Sequence, residues 1–225
     1  MLAKTNYTVN QLLLQEAIDN LPSNQFRTAI NLPSGNFFYD PWTIKSEFKN
    51  TIWDQILSTL PKPFGEARIV NLNPATNYQI HADLDDRYHL NITGEECYLI
   101  DITAGKMHLL VPDGIWYTMN AGKLHSAANF GRQHRIQLVV RQLLTNAELT
   151  DPVTVTICNN IFSENDARFM FDNTISPWLN KIQKQNKLAN FTYTEKVVKF
   201  QTTQNIAEEL KTITLNGFEI HYDRY

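Results

Sequence analysis

Apolar and polar residues alternate in short runs from about residue 66 to 145, the pattern of half-buried strands. Strands are predicted near 67–73 ("ARIVNLN"), 77–82, 87–93, 97–102, 106–111, 115–119, 124–129 and 134–143. Turn signals separate them: Asn73-Pro74, Gly94-Glu95, Ala104-Gly105, Pro112-Asp113-Gly114, Ala121-Gly122 and Phe130-Gly131. Eight short strands about ten residues apart predict a sandwich or barrel, and a jelly roll has that count. The flanks follow another period. Residues 9–21 space Leu12, Leu13, Ala17 and Leu21 as a helix does, and 43–60 reads as a second amphipathic helix ended by Pro61. "FFYDPW" (37–42) reads as a buried aromatic cluster against that helix, with a lid or substrate wall as the other reading. Beyond residue 150 the chain reads strand ("VTVTI", 153–157), long helix (163–185, with Ser163 as N-cap), strand ("KVVKF", 196–200), helix (204–213) and strand ("FEIHY", 218–222). The expected architecture is mainly β: residues 1–148 a jelly-roll, cupin-like domain with N-terminal helices, and 149–225 a small α/β C-terminal region.

Composition narrows the partners. The chain has 225 residues, 43% of them hydrophobic and 19% charged, as in ordinary globular domains. A net charge of −3 gives no basic footprint for nucleic acid or an anionic membrane. No apolar run approaches the roughly 20 residues that span a bilayer. Gln15, Glu16 and Asp19 interrupt any signal-peptide core, so a cytoplasmic protein is expected. Cys97 and Cys158 have no CxxC partner and read as small buried hydrophobes rather than a disulfide or zinc site.

The polar residues inside strand-like segments carry the chemistry. In "QIHADLDDRYHLNI" (79–92), His81 and Asp83 are two residues apart, so on an extended strand they share a face and can offer a nitrogen and an oxygen to one metal ion. The alternative is a solvated strand end. In "RYHLNI", Arg87, His89 and Asn91 share one face and Tyr88, Leu90 and Ile92 the other. If the apolar face packs on the helices, the polar face looks into the sandwich, where polar groups need partners or a ligand. His125 opens a later strand that a jelly roll returns beside the first. Two histidines and one carboxylate then form the facial triad of non-haem Fe(II) oxygenases, leaving three coordination positions open. Ten residues on, Arg135 shares a face with Gln137 and Val139; an inward arginine needs an anion, and the distal carboxylate of 2-oxoglutarate is one.

His81-x-Asp83, Arg87-x-His89 and His125 followed by Arg135 together resemble the aspartyl/asparaginyl β-hydroxylase family of Fe(II)/2-oxoglutarate oxygenases, which includes the cis-proline hydroxylases. The resemblance covers about residues 66–143. It implies a double-stranded β-helix in which His81, Asp83 and His125 ligate Fe(II). Arg135 would clamp the C5 carboxylate of 2-oxoglutarate, and Arg87 and His89 would line the pocket. O2 is the other co-substrate, and the product a hydroxylated amino acid, peptidyl side chain or related small molecule. The region 149–225 has no counterpart in it and contributes none of these ligands, so a soluble chain ending near Ala147 is expected to keep its metal and 2-oxoglutarate but to lose turnover of its substrate. Trp116, Tyr98 and Tyr117 are candidates to shield the site, though each reads first as core, and His108, His134 and His221 read as structural or exposed. Two rivals stand beside this reading: a cupin-type metalloprotein with a 2-oxoglutarate-independent reaction, which has no need of Arg135, and a non-catalytic binding module.

Overall fold

The computed structural model describes residues 1–22, 26–160, 163, 166, 169–194, 196–213 and 217–224. The chain divides into two compact units, Met1–Ile80 with Asp85–Leu143, and His81–Leu84 with Leu144–Tyr225.

The first unit is largely antiparallel sheet. Its elements are β1 (Leu2–Thr8), α1 (Gln11–Asp19), β2 (Arg27–Ala29), β3 (Asn31–Pro33), β4 (Trp42–Ile44), a 3-10 turn (Ser46–Phe48) and α2 (Ile52–Leu57). Then come β5 (Ala67–Leu72), β6 (Thr76–Asn77), β7 (Arg87–Thr93), β8 (Cys97–Asp101), β9 (Lys106–Leu109), β10 (Ile115–Met119), β11 (His125–Asn129) and β12 (Arg135–Arg141). One sheet has the order β1-β10-β7-β12-β5-β2 and another β6-β11-β8-β9, so much of the chain from β5 to β12 passes back and forth between them.

The larger sheet has two unlike faces. Ala67 and Ile69 of β5, Leu90 and Ile92 of β7, Trp116 of β10, and Ile136, Leu138 and Val140 of β12 form one core with Leu14 and Ala17 of α1 and Ile52, Trp53, Ile56 and Leu57 of α2. The intervening residues face the other way. Register places Val139 opposite both Arg68 and His89, and Arg141 opposite Arg87, so Arg68, Arg87, His89, Arg135, Gln137 and Arg141 share the opposite, inner face. Met119 on that side packs with Cys97, Leu99 and Ala127 of the smaller sheet.

The expected helix over 43–60 is three pieces instead. Trp42–Ile44 pairs with Asn31–Pro33 as a strand, and Asn50 takes a left-handed conformation (φ 61°) between the 3-10 turn and α2. The Asn50 amide donates to Asp54 Oδ2 at 3.0 Å, a local bond that competes with helix continuation. The aromatic stretch therefore has no long helix to pack on. Phe37 is 38% exposed, and its ring meets Phe38 and Trp42 at centroid separations of 4.9 and 5.0 Å. β1 was not foreseen; it adds to the edge of the sheet by pairing with β10. Of the strand expected at 77–82, only Asn77, the last residue of β6, and a bridge at His81 are strand.

The second unit contains β13 (Val153–Asn159), a π-helical turn (Phe171–Ile175), α3 (Ser176–Lys184), β14 (Ala189–Tyr193), β15 (Val197–Thr202), α4 (Gln204–Lys211) and β16 (Phe218–Arg224). Its sheet order is β14-β15-β13-β16, antiparallel throughout. The helix expected over 163–185 begins partly outside the described residues; Ser163 Oγ accepts the Asp166 amide at 3.3 Å, as an N-cap does. β14 was missed. Asn190 takes a positive φ of 50° there and the pairing with β15 is irregular, which hides the alternation.

Candidate metal centre

His81 and Asp83 sit in an extended segment rather than a regular strand, but the alternation holds. Ala82 and Leu84 are buried at 0% and 4% exposure, while His81 and Asp83 project from the other side, partly exposed. His81 Nε2 lies 3.7 Å from Asp83 Oδ2. His125, at the start of β11, is buried, and its Nδ1 lies 2.7 Å from the Lys123 carbonyl. A carbonyl only accepts, so Nδ1 carries the proton and Nε2 the lone pair, the arrangement in which a backbone group orients a metal-binding imidazole. One ligand atom from each of His81, Asp83 and His125 lies within 4.8 Å of the others. Two imidazole nitrogens and a carboxylate oxygen suit a divalent first-row metal.

The inner face of the six-stranded sheet holds polar atoms of two kinds. Some are fully engaged. The Gln137 amide donates to Asn91 Oδ1, and Asn91 Nδ2 donates to the Val111 carbonyl at 3.2 Å. Glu66 gathers Arg68, Arg27 (Nη2 at 2.9 Å) and Arg141 (Nε at 3.0 Å). Burial pushes the Glu66 carboxyl up, but these guanidinium groups outweigh it and hold it down at about 2. Arg141 also meets Asp85, whose Oδ2 lies 3.6 Å from Arg87 Nε. The guanidinium carbon of Arg141 sits 5.1 Å from the Phe37 ring centroid.

Others meet no carboxylate among the described residues, Tyr78 being the side chain that hydrogen-bonds Arg135. Arg135 is 2% exposed, and among the described residues its Nε and Nη1 make no hydrogen bond. Burial lowers its pKa, opposed by Tyr78 and Cys97, and its guanidinium carbon lies 5.3 Å from the centroid of the Tyr78 ring. His89 Nε2 is sealed from solvent, again with no hydrogen bond among the described residues. Burial first, then the charges of Arg87 and Arg135 and a further contribution from His125, hold its pKa well below the ordinary value, so the ring is neutral. His89 senses both His125 and Arg135, so the three share one electrostatic neighbourhood.

The structure thus brings His81, Asp83 and His125 together and puts Arg135, Arg87 and His89 on the inner face. It gives Arg87 an ion-pair partner in Asp85, two residues before it in the chain. Glu66, Arg68, Tyr78 and Asp85 were missed. Asp85 stood in plain view beside Arg87, and Arg68 alternates into the same face as the other arginines. Trp116 lies on the helix-facing side, 0% exposed, with Nε1 bonded to Thr59 Oγ1 at 2.9 Å, so it is core and not a wall of the site. Tyr98 packs at 5.8 Å on the exposed Phe130, and Tyr117 donates its hydroxyl to Asp113. His134 is 2.9 Å from Asn71 Oδ1 and His221 is 3.4 Å from Glu219; both cysteines are free thiols.

No family model matches the chain, and no curated protein matches it. Among solved structures it is similar to a crystal structure of CapF with the inhibitor 3-isopropenyl-tropolone, at 14% identity and a TM-score of 0.31. That match covers 60% of this chain and 41% of the other, less than half of its length, and it bears on neither reaction nor ligand. Among the described residues, no helix is long and apolar enough to cross a membrane.

Proposed function

We propose that this chain is an Fe(II)- and 2-oxoglutarate-dependent oxygenase that hydroxylates an unactivated C–H bond of an amino acid, a peptidyl side chain or a related small molecule. The observation that carries the reading is the His81, Asp83 and His125 donor set, whose ligand atoms lie within 4.8 Å of one another, together with the buried guanidinium of Arg135, two of whose nitrogens make no hydrogen bond among the described residues. The strand orders support a double-stranded β-helix: β10-β7-β12-β5 in one sheet and β6-β11-β8-β9 in the other.

His81, Asp83 and His125 would hold the iron. Bound there with 2-oxoglutarate and O2, iron supplies the oxidising chemistry: the co-substrate leaves as succinate and CO2, and one oxygen atom enters the substrate as hydroxyl. The chain's own work is placement and charge. Arg135 offers a pre-organised, desolvated cation to the distal carboxylate, matched to it by two parallel N–H donors. Neutral His89 adds a polar atom without adding charge. The Lys123 carbonyl keeps His125 in its ligating tautomer.

The test is anaerobic calorimetry with Fe(II) and 2-oxoglutarate, followed by succinate release in air across a panel of amino acids and peptides. One Fe(II) per chain is expected, with 2-oxoglutarate binding to the iron-loaded protein. Outer ligands alone are worth about 10–100-fold in metal affinity, so His125→Ala should lose at least about 100-fold while the fold survives. Metal binding with neither binding nor turnover of 2-oxoglutarate would replace this reading with a cupin-type metalloprotein of another reaction. Equal Fe(II) affinity in wild type and His125→Ala would overturn the donor set itself.

A further inference from the structure

The segment carrying His81 and Asp83 is fixed by two hydrogen bonds to residues far along the chain. The Ala82 amide donates to the Asp172 carbonyl at 3.0 Å, and the side-chain amide of Asn180 donates to the Leu84 carbonyl at 2.7 Å. These bonds bracket Asp83. They hold Ala82 and Leu84 inward and so set the direction in which His81 and Asp83 project. All of these residues belong to the same compact unit.

The sequence around Asp172 explains why its carbonyl accepts from outside its own helix. Phe171–Ile175 is a π-helical turn, in which the Ser176 amide reaches back to the Phe171 carbonyl. The next bond in that register would run from residue 177 to Asp172, and residue 177 is proline, which has no N–H. The Ala82 amide takes that place. Asn180 is the complementary case. Asparagine is a mediocre helix former, yet Asn180 sits inside α3, 5% exposed, with its amide turned to the Leu84 carbonyl.

We infer that Asn180, together with the Asp172 carbonyl, is the positioning element for the His81 and Asp83 half of the metal centre. Asn180 touches no metal in this assignment; it acts through the backbone of Leu84. The inference rests on the metal reading of the cluster. It also reverses the expectation from sequence that a chain ending near Ala147 keeps its metal, because such a chain lacks both Asp172 and Asn180.

The experiment uses the full-length chain and Co(II) as probe, read by calorimetry and by the visible absorption of the saturated protein. Asn180→Leu keeps the volume and removes the donor. Gln183→Ala is the control, since Gln183 makes the same type of bond from the same helix, to the Thr145 carbonyl at 3.0 Å and not to the ligand segment. Asn180→Leu should weaken Co(II) binding by about 10–100-fold, the range for groups that orient metal ligands, and shift the absorption at saturation. Gln183→Ala should stay within about twofold with an unchanged spectrum. A merely structural role would lower thermal stability and leave the spectrum alone. Should Asn180→Leu fail to fold, Asn180→Ser, which shortens the reach, is expected to change affinity and spectrum in the same direction. Wild-type affinity and spectrum in a folded Asn180 variant would overturn the inference and leave the metal reading standing. A wild-type protein that binds no Co(II) would overturn both.

Discussion

The two faces of the six-stranded sheet are made by the same strands and do opposite work. On one side, Ile136, Leu138 and Val140 of β12 and Leu90 and Ile92 of β7 bury hydrocarbon against α1 and α2. On the other, the neighbouring residues of those strands are Arg135, Gln137, Arg141, Arg87 and His89. Burying apolar area stabilises the fold by roughly 25 cal/mol per Å² and needs no particular partner. Burying guanidinium groups costs stability unless each finds an anion. Glu66 and Asp85 supply anions for Arg68, Arg141 and Arg87, and among the described residues Arg135 has none. The apolar face explains why the unit folds; the unbalanced polar face points to where a ligand belongs.

The comparison breaks most sharply at Arg135. Losing one member of a buried charge pair costs roughly 2–5 kcal/mol, so Arg135→Gln should weaken 2-oxoglutarate binding about 30-fold to several thousandfold while Fe(II) affinity stays within a few-fold. Arg141→Gln should leave 2-oxoglutarate affinity within a few-fold, because that guanidinium is already held by Glu66 and Asp85. The reverse pattern in calorimetry would move the anion site away from Arg135.

The opposite face is tested at Leu138, which is 0% exposed in the helix-facing core. Leu138→Ala should destabilise the protein by about 2–5 kcal/mol in denaturant unfolding, with ligand affinity of the folded protein unchanged. A Leu138→Ala protein of normal stability but altered 2-oxoglutarate affinity would mean the faces are misassigned.

A smaller effect follows from Glu66. Its pKa is held at about 2, below the ordinary 4.5, so its charge stabilises the fold fully above about pH 4.5, and that contribution is lost as pH falls toward 2. The shift corresponds to about 3 kcal/mol at most. Unfolding midpoints followed downward from neutral pH should show this loss in wild type and a flatter profile in Glu66→Gln. Equal slopes would show that the three arginines do not depend on this carboxylate.

Much of the first unit was legible because its signal is local. The turns at Asn73-Pro74, Gly94-Glu95 and Pro112-Asp113-Gly114 and the two-residue period between them place most of the strands from Ala67 to Arg141 within a residue or two. The same period put Leu90 and Arg87 on opposite sides of one strand. Where local signals conflicted, the reading failed. The apolar spacing over 43–60 suits a helix, but pairing of Trp42–Ile44 with Asn31–Pro33 and the left-handed Asn50 divide it. The helix spacing of 163–185 likewise gave no warning of the π-turn at Phe171–Ile175.

By itself, then, the sequence determined which side chains share a strand face and which donor types stand two residues apart, since alternation depends only on neighbouring φ and ψ angles. Only the tertiary structure decided which of those residues meet. It brought His125 to His81 and Asp83, gave Arg87 and Arg141 to Asp85, left Arg135 without an acid among the described residues, and set Asn180 against the backbone beside Asp83. Apart from Asp85 and Arg87, which stand two residues from each other, these contacts join residues dozens of positions apart. Their pairing is fixed by register and by the burial of both partners, quantities that no local window of sequence contains.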